Sequence, residues 1–371
     1  MMAPDGHANA GDVRRLLRLL ILEPEAVVNL PLHDLDLTIR VARRVRLHGR
    51  LCAHLKQAGL LDRLPSVAAD QLESGSVMAA ARARLARWEL DRIAWALGSD
   101  KDTPLLAMKG CAYLLLDLPN TAGRIFADVD LMTAEDSLDA IEAQLNARGW
   151  MTTRLTPYDD NYYRKWTHEL PPMIYREREV EVDLHHNILP RTARLKPSAA
   201  KLLAHARQLP GSRYGVLANE DMILHAMTHL MFDSDLADKL RDLVDIADLV
   251  AIFSTKDPAF WDGFIERATE LNLTRPAFYS LRYASLLLDA EIPVRVLEAT
   301  RRWAPPRIIV VLMDALVPRA LFPQHPDRPS GMAEFSRFLL YMRSHWIRMP
   351  PWLLTYHLAY KFFATRIRRP A

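Results

Sequence analysis

Over the first hundred positions apolar residues recur at helical spacing. Val13, Leu16, Leu17, Leu19 and Leu20 form one stripe with Arg14, Arg15 and Arg18 between them. The stretch from Leu37 to Leu60 and the longer one from Ser66 to Leu97 repeat that pattern, so residues 11–100 read as helices. Arg82, Arg84, Arg87 and Arg92 fall on the polar side of the last stretch, where a solvated helix face accounts for them. At Asp102 the texture changes. Pro104 to Met108 predicts a short buried strand and Cys111 to Leu116 a short helix. Pro119-Asn120 and Gly123 then interrupt the chain before a second strand carrying Asp128-Val129-Asp130. Thr133 with Asp136 three residues on has the form of a capping box. It opens a helix with Leu138, Ile141 and Leu145 inward and Gly149 as its stop.

Trp150 to Leu155 predicts a further strand. Residues 168–175 and 179–186 predict two more around the charged turn Arg176-Glu177-Arg178. In the second of these, Val180, Val182 and Leu184 alternate with Glu181, Asp183 and His185, giving a strand with one apolar and one acidic, imidazole-bearing face. Strand, helix, strand, helix and antiparallel strands make an α+β chain: a small mixed sheet with helices on it. After Pro190 the helical texture returns and holds to the end, clearest over Asp221–Phe232, Leu236–Phe253, Ala259–Leu271, Arg275–Leu288 and Pro293–Trp303. The organisation expected is a helical region at 1–100, a sheet-bearing core at 101–190 and a second helical region at 191–371.

Composition excludes more than it selects. The 371 residues are 50% hydrophobic and 25% charged, with a net charge of +3, which is too mild to argue for nucleic-acid binding. Two cysteines, Cys52 and Cys111, cannot form a metal knuckle and suit a reducing cytoplasm. The first residues lack the apolar run of a signal peptide, and no apolar stretch approaches the ~18 residues of a membrane span. The last segment, Trp346 to Arg369, mixes Trp352, Tyr356, Tyr360, Phe362 and Phe363 with Lys361, Arg366, Arg368 and Arg369. A helix of that kind either touches an anionic membrane surface or packs on its own protein or a partner.

The chemistry concentrates between Thr103 and Thr133. Residues two apart in a strand share a face, so Asp128 and Asp130 project together, and a divalent cation is the usual reason such a pair is tolerated. Nucleotidyl transfer requires phosphate charge to be neutralised and a hydroxyl to be lined up. Two cations bridged by three carboxylates from neighbouring strands do both. Asp183, flanked by Val182 and Leu184, is the natural third; Glu181, on the same face, competes for that place. Lys109 is either a phosphate contact or an exposed strand end. Arg124 either clamps a phosphate or pairs with Asp128. His185 either orients the acceptor or a carboxylate, or is structural. His225 and His229 have the spacing of a zinc pair but lack a following glutamate or a third ligand. Asp245 either faces the cleft or makes a helix salt bridge, and Cys111 reads as a small buried hydrophobe.

The order Lys109-Gly110, Arg124, Asp128-x-Asp130 and Val182-Asp183-Leu184-His185 resembles the uncharacterised nucleotidyltransferase-like family of the DNA polymerase β-type superfamily, over roughly residues 45–290. The resemblance implies a minimal polymerase β-like mixed sheet working with Mg²⁺ or Mn²⁺. Asp128, Asp130 and Asp183 would hold the metals, and Asp183 would also be the base toward an acceptor hydroxyl. The substrates implied are a nucleoside triphosphate, ATP among them, and an acceptor that is a sugar, small molecule, protein or RNA end. Where the wider superfamily has Gly-Ser, this chain has Lys109-Gly110. The glycine still admits a phosphate to the backbone and Lys109 supplies a point charge there. Two rivals stand beside this reading. A non-catalytic nucleotide-binding module would explain the absent serine but has little need of three mutually repelling acids. A metal-dependent glycosyltransferase also uses Asp-x-Asp, but it needs an alternating strand–helix domain where residues 11–100 look helical.

Overall fold

The computed structural model describes residues 10–98, 103–153, 155–356 and 360. Helices α1 (Ala10–Leu22), α2 (Leu32–Arg44), α3 (His48–Gln57) and α4 (Ser66–Leu97) lead the chain. Of the apolar stripe, Val13, Leu16, Leu17 and Leu20 are buried as its spacing predicts, and Leu19, at its edge, is half-buried. The stretch Leu37 to Leu60 is two helices rather than one. Arg46 sits in the left-handed region (φ 58°), and the Leu47 N–H returns to the Ala42 carbonyl to close α2. An arginine in the place usually taken by glycine hid that stop from the sequence.

Next come β1 (Leu106–Ala107), α5 (Lys109–Leu115), β2 (Asp128–Met132), α6 (Leu138–Ala147), β3 (Trp150–Thr152), α7 (Pro157–Trp166), β4 (Met173–Tyr175) and β5 (Glu181–His185). The chain continues with α8 (Ala199–Ala204), β6 (Arg207–Gln208), β7 (Gly215–Val216), α9 (Asn219–Phe232), α10 (Leu240–Lys256), α11 (Phe260–Glu270) and α12 (Thr274–Leu288). It ends with α13 (Val294–Arg301), α14 (Arg307–Leu321) and α15 (Gly331–Arg348). The result is the α+β chain that the patterning predicts, with one mixed seven-stranded sheet among the described residues, in the order β3-β4-β5-β2-β1-β7-β6. Strand β2 runs parallel to β5 and antiparallel to β1; β4 runs antiparallel to β5, and β1 parallel to β7.

The sheet separates two cores. Val129, Leu131, Val182 and Leu184 face a cluster with Leu90, Ile93, Leu138, Ile141, Leu145 and Trp150. Leu106, Met132 and Val216 on the other side join a larger cluster in which the N-terminal helices pack with α9, α10 and α12. Buried Glu89 on α4 accepts the Trp150 indole N–H at 2.7 Å and pairs with Arg178, whose guanidinium lies 3.7 Å over the Tyr175 ring. This anchors the β4–β5 turn on α4.

Several local expectations change. Thr133 caps no helix: its hydroxyl donates to the Pro104 carbonyl at 2.7 Å, tying β2 to the entry of β1, and α6 begins after a 3₁₀ turn at Glu135–Ser137. Strand pairing after Trp150 stops at Thr152, because Thr156 caps α7 by accepting the Asp159 N–H with Pro157 in the first turn. In the segment 168–175 only Met173–Tyr175 is strand, and Glu169 makes a single bridge to His185. Strands β6 and β7 lie in a region that reads as helical. No helix of the described residues is long and apolar enough to cross a membrane. Of the aromatic C-terminal segment, Tyr360 stacks on Tyr158 at 3.7 Å and Tyr356 lies 6.1 Å from the same ring, so these two side chains pack on α7. Lys361, Phe362, Phe363, Arg366, Arg368 and Arg369 lie outside the described residues.

The loop entering β2 is clamped on the N-terminal helices through glycine. A Cβ at Gly123 (φ 70°) would stand 2.1 Å from the Gly49 carbonyl oxygen, and one at Gly75 would meet the His48 ring at the same distance. Gly123→Ala should therefore destabilise by on the order of 3 kcal/mol, through a backbone clash and left-handed strain together. Gly59→Ala (φ 67°), where a Cβ meets nothing within 4 Å, should cost about 1 kcal/mol. Thermal denaturation of the two variants checks the difference.

Candidate active site

Parallel pairing of β2 with β5 sets Asp128 opposite Glu181, Asp130 opposite Asp183 and Met132 opposite His185, all on one face. Carboxylate oxygens of Asp130 and Asp183 and a ring nitrogen of His185 lie within 4.8 Å of one another. Asp128, nearer the start of β2, stands outside that trio, and its carboxylate accepts no hydrogen bond from the described residues. Asp183 is likewise without a hydrogen-bond partner among them. Exposed Glu181 lines a separate groove of about 710 Å³ with Arg43, Arg46, Arg82 and Phe126.

Asp130 is 2% exposed, and its Oδ1 receives both the Lys109 ammonium at 2.6 Å and His185 Nε2 at 3.1 Å. Burial would raise its pKa, but Lys109 and His185 hold it far below the ordinary carboxylate range. Burial opposes the Lys109 charge too, and Asp130 outweighs it and raises the ammonium pKa. The unpaired acids move the other way. Burial and then the Asp130 charge raise Asp128, and the same causes push Asp183 up to about 7.

Lys109 opens α5 in the left-handed region (φ 45°), turning the chain sharply from β1 so that its side chain returns over β2. The lysine is therefore neither an exposed strand end nor free of the acids: it is the counter-ion of Asp130. A Cβ at Gly110 would stand 2.4 Å from Arg124 Nη1, so a side chain there displaces the Arg124 guanidinium. Arg124 pairs not with Asp128 but with Asp245 on α10, through Nε at 3.2 Å and Nη2 at 3.1 Å, and lies over the rings of Tyr113 and Phe126. Asp245 thus faces the cleft, and its salt bridge is to Arg124 rather than to a neighbour on its own helix. Lys109, Gly110, Arg124, Asp128 and Asp130 line one cavity of about 230 Å³ with His229, Arg241 and Asp242.

Cys111 is buried, its thiol pushed up to about 12 by burial and the neighbouring Asp130, and it behaves as the inert filler its sequence suggests. His225 and His229 have ring centroids 6.4 Å apart, and no third donor completes a metal group with them among the described residues. Sequence reasoning missed His168 and Glu169. Glu169 Oε2 lies 3.2 Å from His185 Nδ1, on the side of the ring away from Asp130. The adjacent pair His168-Glu169 was legible in the chain, but reading residues 168–175 as a strand put the two on opposite faces.

Beyond the geometry, the model of a family described as uncharacterised nucleotidyltransferase matches residues 31–289. No curated protein and no solved structure matches the chain.

The raised Asp183 pKa has a sign that can be tested. A carboxyl that titrates near 7 when folded and near its ordinary value when unfolded costs the folded state nothing below about pH 4. The cost grows as pH rises from there and is complete above about 7. In chelator-treated protein, Asp183→Asn should raise stability at pH 8 by on the order of 4 kcal/mol and change it little at pH 4. Thermal melts at the two pH values measure this; an equal effect at both would contradict it.

Proposed function

Because the chain belongs to the family of uncharacterised nucleotidyltransferases, we propose that it moves a nucleoside monophosphate group from a nucleoside triphosphate to an acceptor hydroxyl. The observation that carries this reading is the approach of Asp130 and Asp183 on adjacent parallel strands beside the Lys109-Gly110 turn. The donor chemistry fits Mg²⁺ or Mn²⁺: Asp130 and Asp183 present oxygen ligands, Asp128 adds a third carboxylate, and two of the three have no counter-charge bonded to them. Bound there, such ions would neutralise the charge of the transferred phosphate.

The chain's own residues supply the rest. Arg124, held by Asp245, and Arg241 at the same cavity wall bind phosphate oxygens. Gly110, with no side chain, lets the phosphates approach the start of α5. Lys109 exchanges Asp130 for phosphate as the triphosphate enters. Asp183, at the edge of that centre and without a hydrogen-bond partner among the described residues, takes the proton from the acceptor hydroxyl. His185 keeps the Asp130 carboxylate oriented through its Nε2 contact. The acceptor lies on the Glu181 side, in the groove with Arg43, Arg46 and Arg82.

A second reading is favoured by one specific contact. With Lys109 bonded to Asp130 at 2.6 Å, the acid is already neutralised, as in a module that binds nucleotide without transferring it. A glycosyltransferase is disfavoured, because helices α1 to α4 stand where its alternating strands and helices would precede the Asp-x-Asp.

The separating experiment incubates the protein with each α-labelled nucleoside triphosphate, Mg²⁺ or Mn²⁺ and a cell extract. Label is expected to appear on an acceptor, and to fall at least about a hundredfold in Asp128→Asn, Asp130→Asn and Asp183→Asn, since each removes several kcal/mol of charge stabilisation. Saturable nucleotide binding with no label transferred would establish the non-catalytic module instead.

A further inference from the structure

His185 has a second side that nucleotidyl transfer does not use. The backbone holds it against the segment between α7 and β4: the His186 N–H donates to the His168 carbonyl and the Leu170 N–H to the Leu184 carbonyl, both at 2.9 Å. That pairing brings the side chains of His168 and Glu169 beside the imidazole.

The ring's hydrogen bonding sets its tautomer. Asp130 Oδ1, which also takes the Lys109 ammonium, lies 3.1 Å from Nε2, so Nε2 donates to it and Nδ1 is the nitrogen left to meet a cation or a second proton. Nδ1 is buried, on a residue 2% exposed, and makes no hydrogen bond. It faces Glu169 Oε2 at 3.2 Å, a carboxylate oxygen that also carries lone pairs, and His168 Nε2 lies 4.0 Å from the same oxygen. Donor atoms of the three residues all fall within 4.8 Å of one another. Ligands about 2.0–2.1 Å from a tetrahedral zinc ion stand roughly 3.3 Å apart, so the cluster needs only small adjustments to close on one ion.

We propose that His168, Glu169 and His185 Nδ1 form a binding site for a zinc-class divalent cation, separate from the carboxylate centre and joined to it through the His185 ring. Two imidazoles and one carboxylate suit Zn²⁺, and also Co²⁺ as its probe, whereas Mg²⁺ prefers oxygen alone. A carboxylate holding the far nitrogen of a ligating histidine is the usual support of such sites, and Asp130 fills that role. The cluster opens on a cavity of about 210 Å³ lined also by Lys109, Ser234 and Arg348, which leaves room for water or an anionic ligand in a fourth position. The competing account puts a proton where the cation would be, making Glu169, His185 and Asp130 a hydrogen-bonded relay.

The test uses the full chain without an affinity tag, stripped with chelator and titrated with Co²⁺. Expected are one ion per chain with the intense ligand-field absorption of four-coordinate cobalt, and two imidazole nitrogens in the X-ray absorption spectrum of the zinc-loaded protein. His168→Gln and Glu169→Gln should weaken Co²⁺ binding at least about tenfold, while Asp183→Asn leaves the band in place. A wild-type protein that takes up no four-coordinate ion, or whose zinc shows no imidazole neighbours, overturns the proposal in favour of the relay. So does a band lost in Asp183→Asn and kept in His168→Gln. Because both readouts are spectroscopic on the wild-type chain, neither depends on the variants folding or on nucleotidyl transfer being found.

Discussion

The ion pair between Lys109 and Asp130 is the contact on which the site depends. Parallel pairing forces Asp130 and Asp183 together, and Asp128 and Glu169 add to the negative field. Two unit charges 4 Å apart at an effective dielectric of about 20 repel by about 4 kcal/mol, so this face could not stay ionised without cations. One ammonium and one imidazole serve Asp130, and Asp128 and Asp183 respond by holding their protons more tightly. The same imbalance that makes the face unstable alone is what supports the proposed cation site there.

The scaffold's task is to keep that arrangement rigid, and it does so from both ends of the chain. The N-terminal helices grip the loop before β2 at Gly49 and Gly123, where backbone meets backbone with no room for a side chain. From the other end, α10 reaches across with Asp245 to hold Arg124, and Arg124 packs on Gly110. The glycine of the Lys-Gly turn is thus fixed by a residue 14 positions later, whose own place is fixed by α10. The helices of both regions contribute to one large cluster behind the sheet, so strain in the site is resisted by most of the protein's mass.

What could be read from the chain follows from how local the causes are. Helix α4 spans Ser66–Leu97 as its periodicity indicates, and the alternation in 180–185 correctly separates an apolar face from an acidic, imidazole-bearing one, because both depend on neighbours in sequence. The partner of Arg124 was not legible: Asp245 lies 121 positions away, and only the tertiary fold selects it over Asp128. Thr133 failed as a cap for a similar reason: its hydroxyl is turned to donate to the distant Pro104 carbonyl, and it accepts no N–H of the following turn among the described residues. His168 and Glu169 were missed because residues 168–175 read as one strand, which puts neighbours on opposite faces, whereas only Met173–Tyr175 is strand and Glu169 makes a single bridge to His185.

The lysine of the turn carries a cost that glycine would not. A non-glycine residue at φ 45° costs on the order of 1 kcal/mol in backbone strain, and it persists where surrounding contacts over-determine it. Here the contact is a charge-assisted hydrogen bond of 2.6 Å to a buried carboxylate, which offsets that strain and more. A glycine would relax the backbone and leave Asp130 without its principal cation. The ammonium therefore does what a metal would do at this carboxylate, while remaining tethered to the turn beside which phosphate is expected to enter. On the proposed function, that position would let one side chain neutralise the acid when the cleft is empty and turn toward phosphate when it is filled.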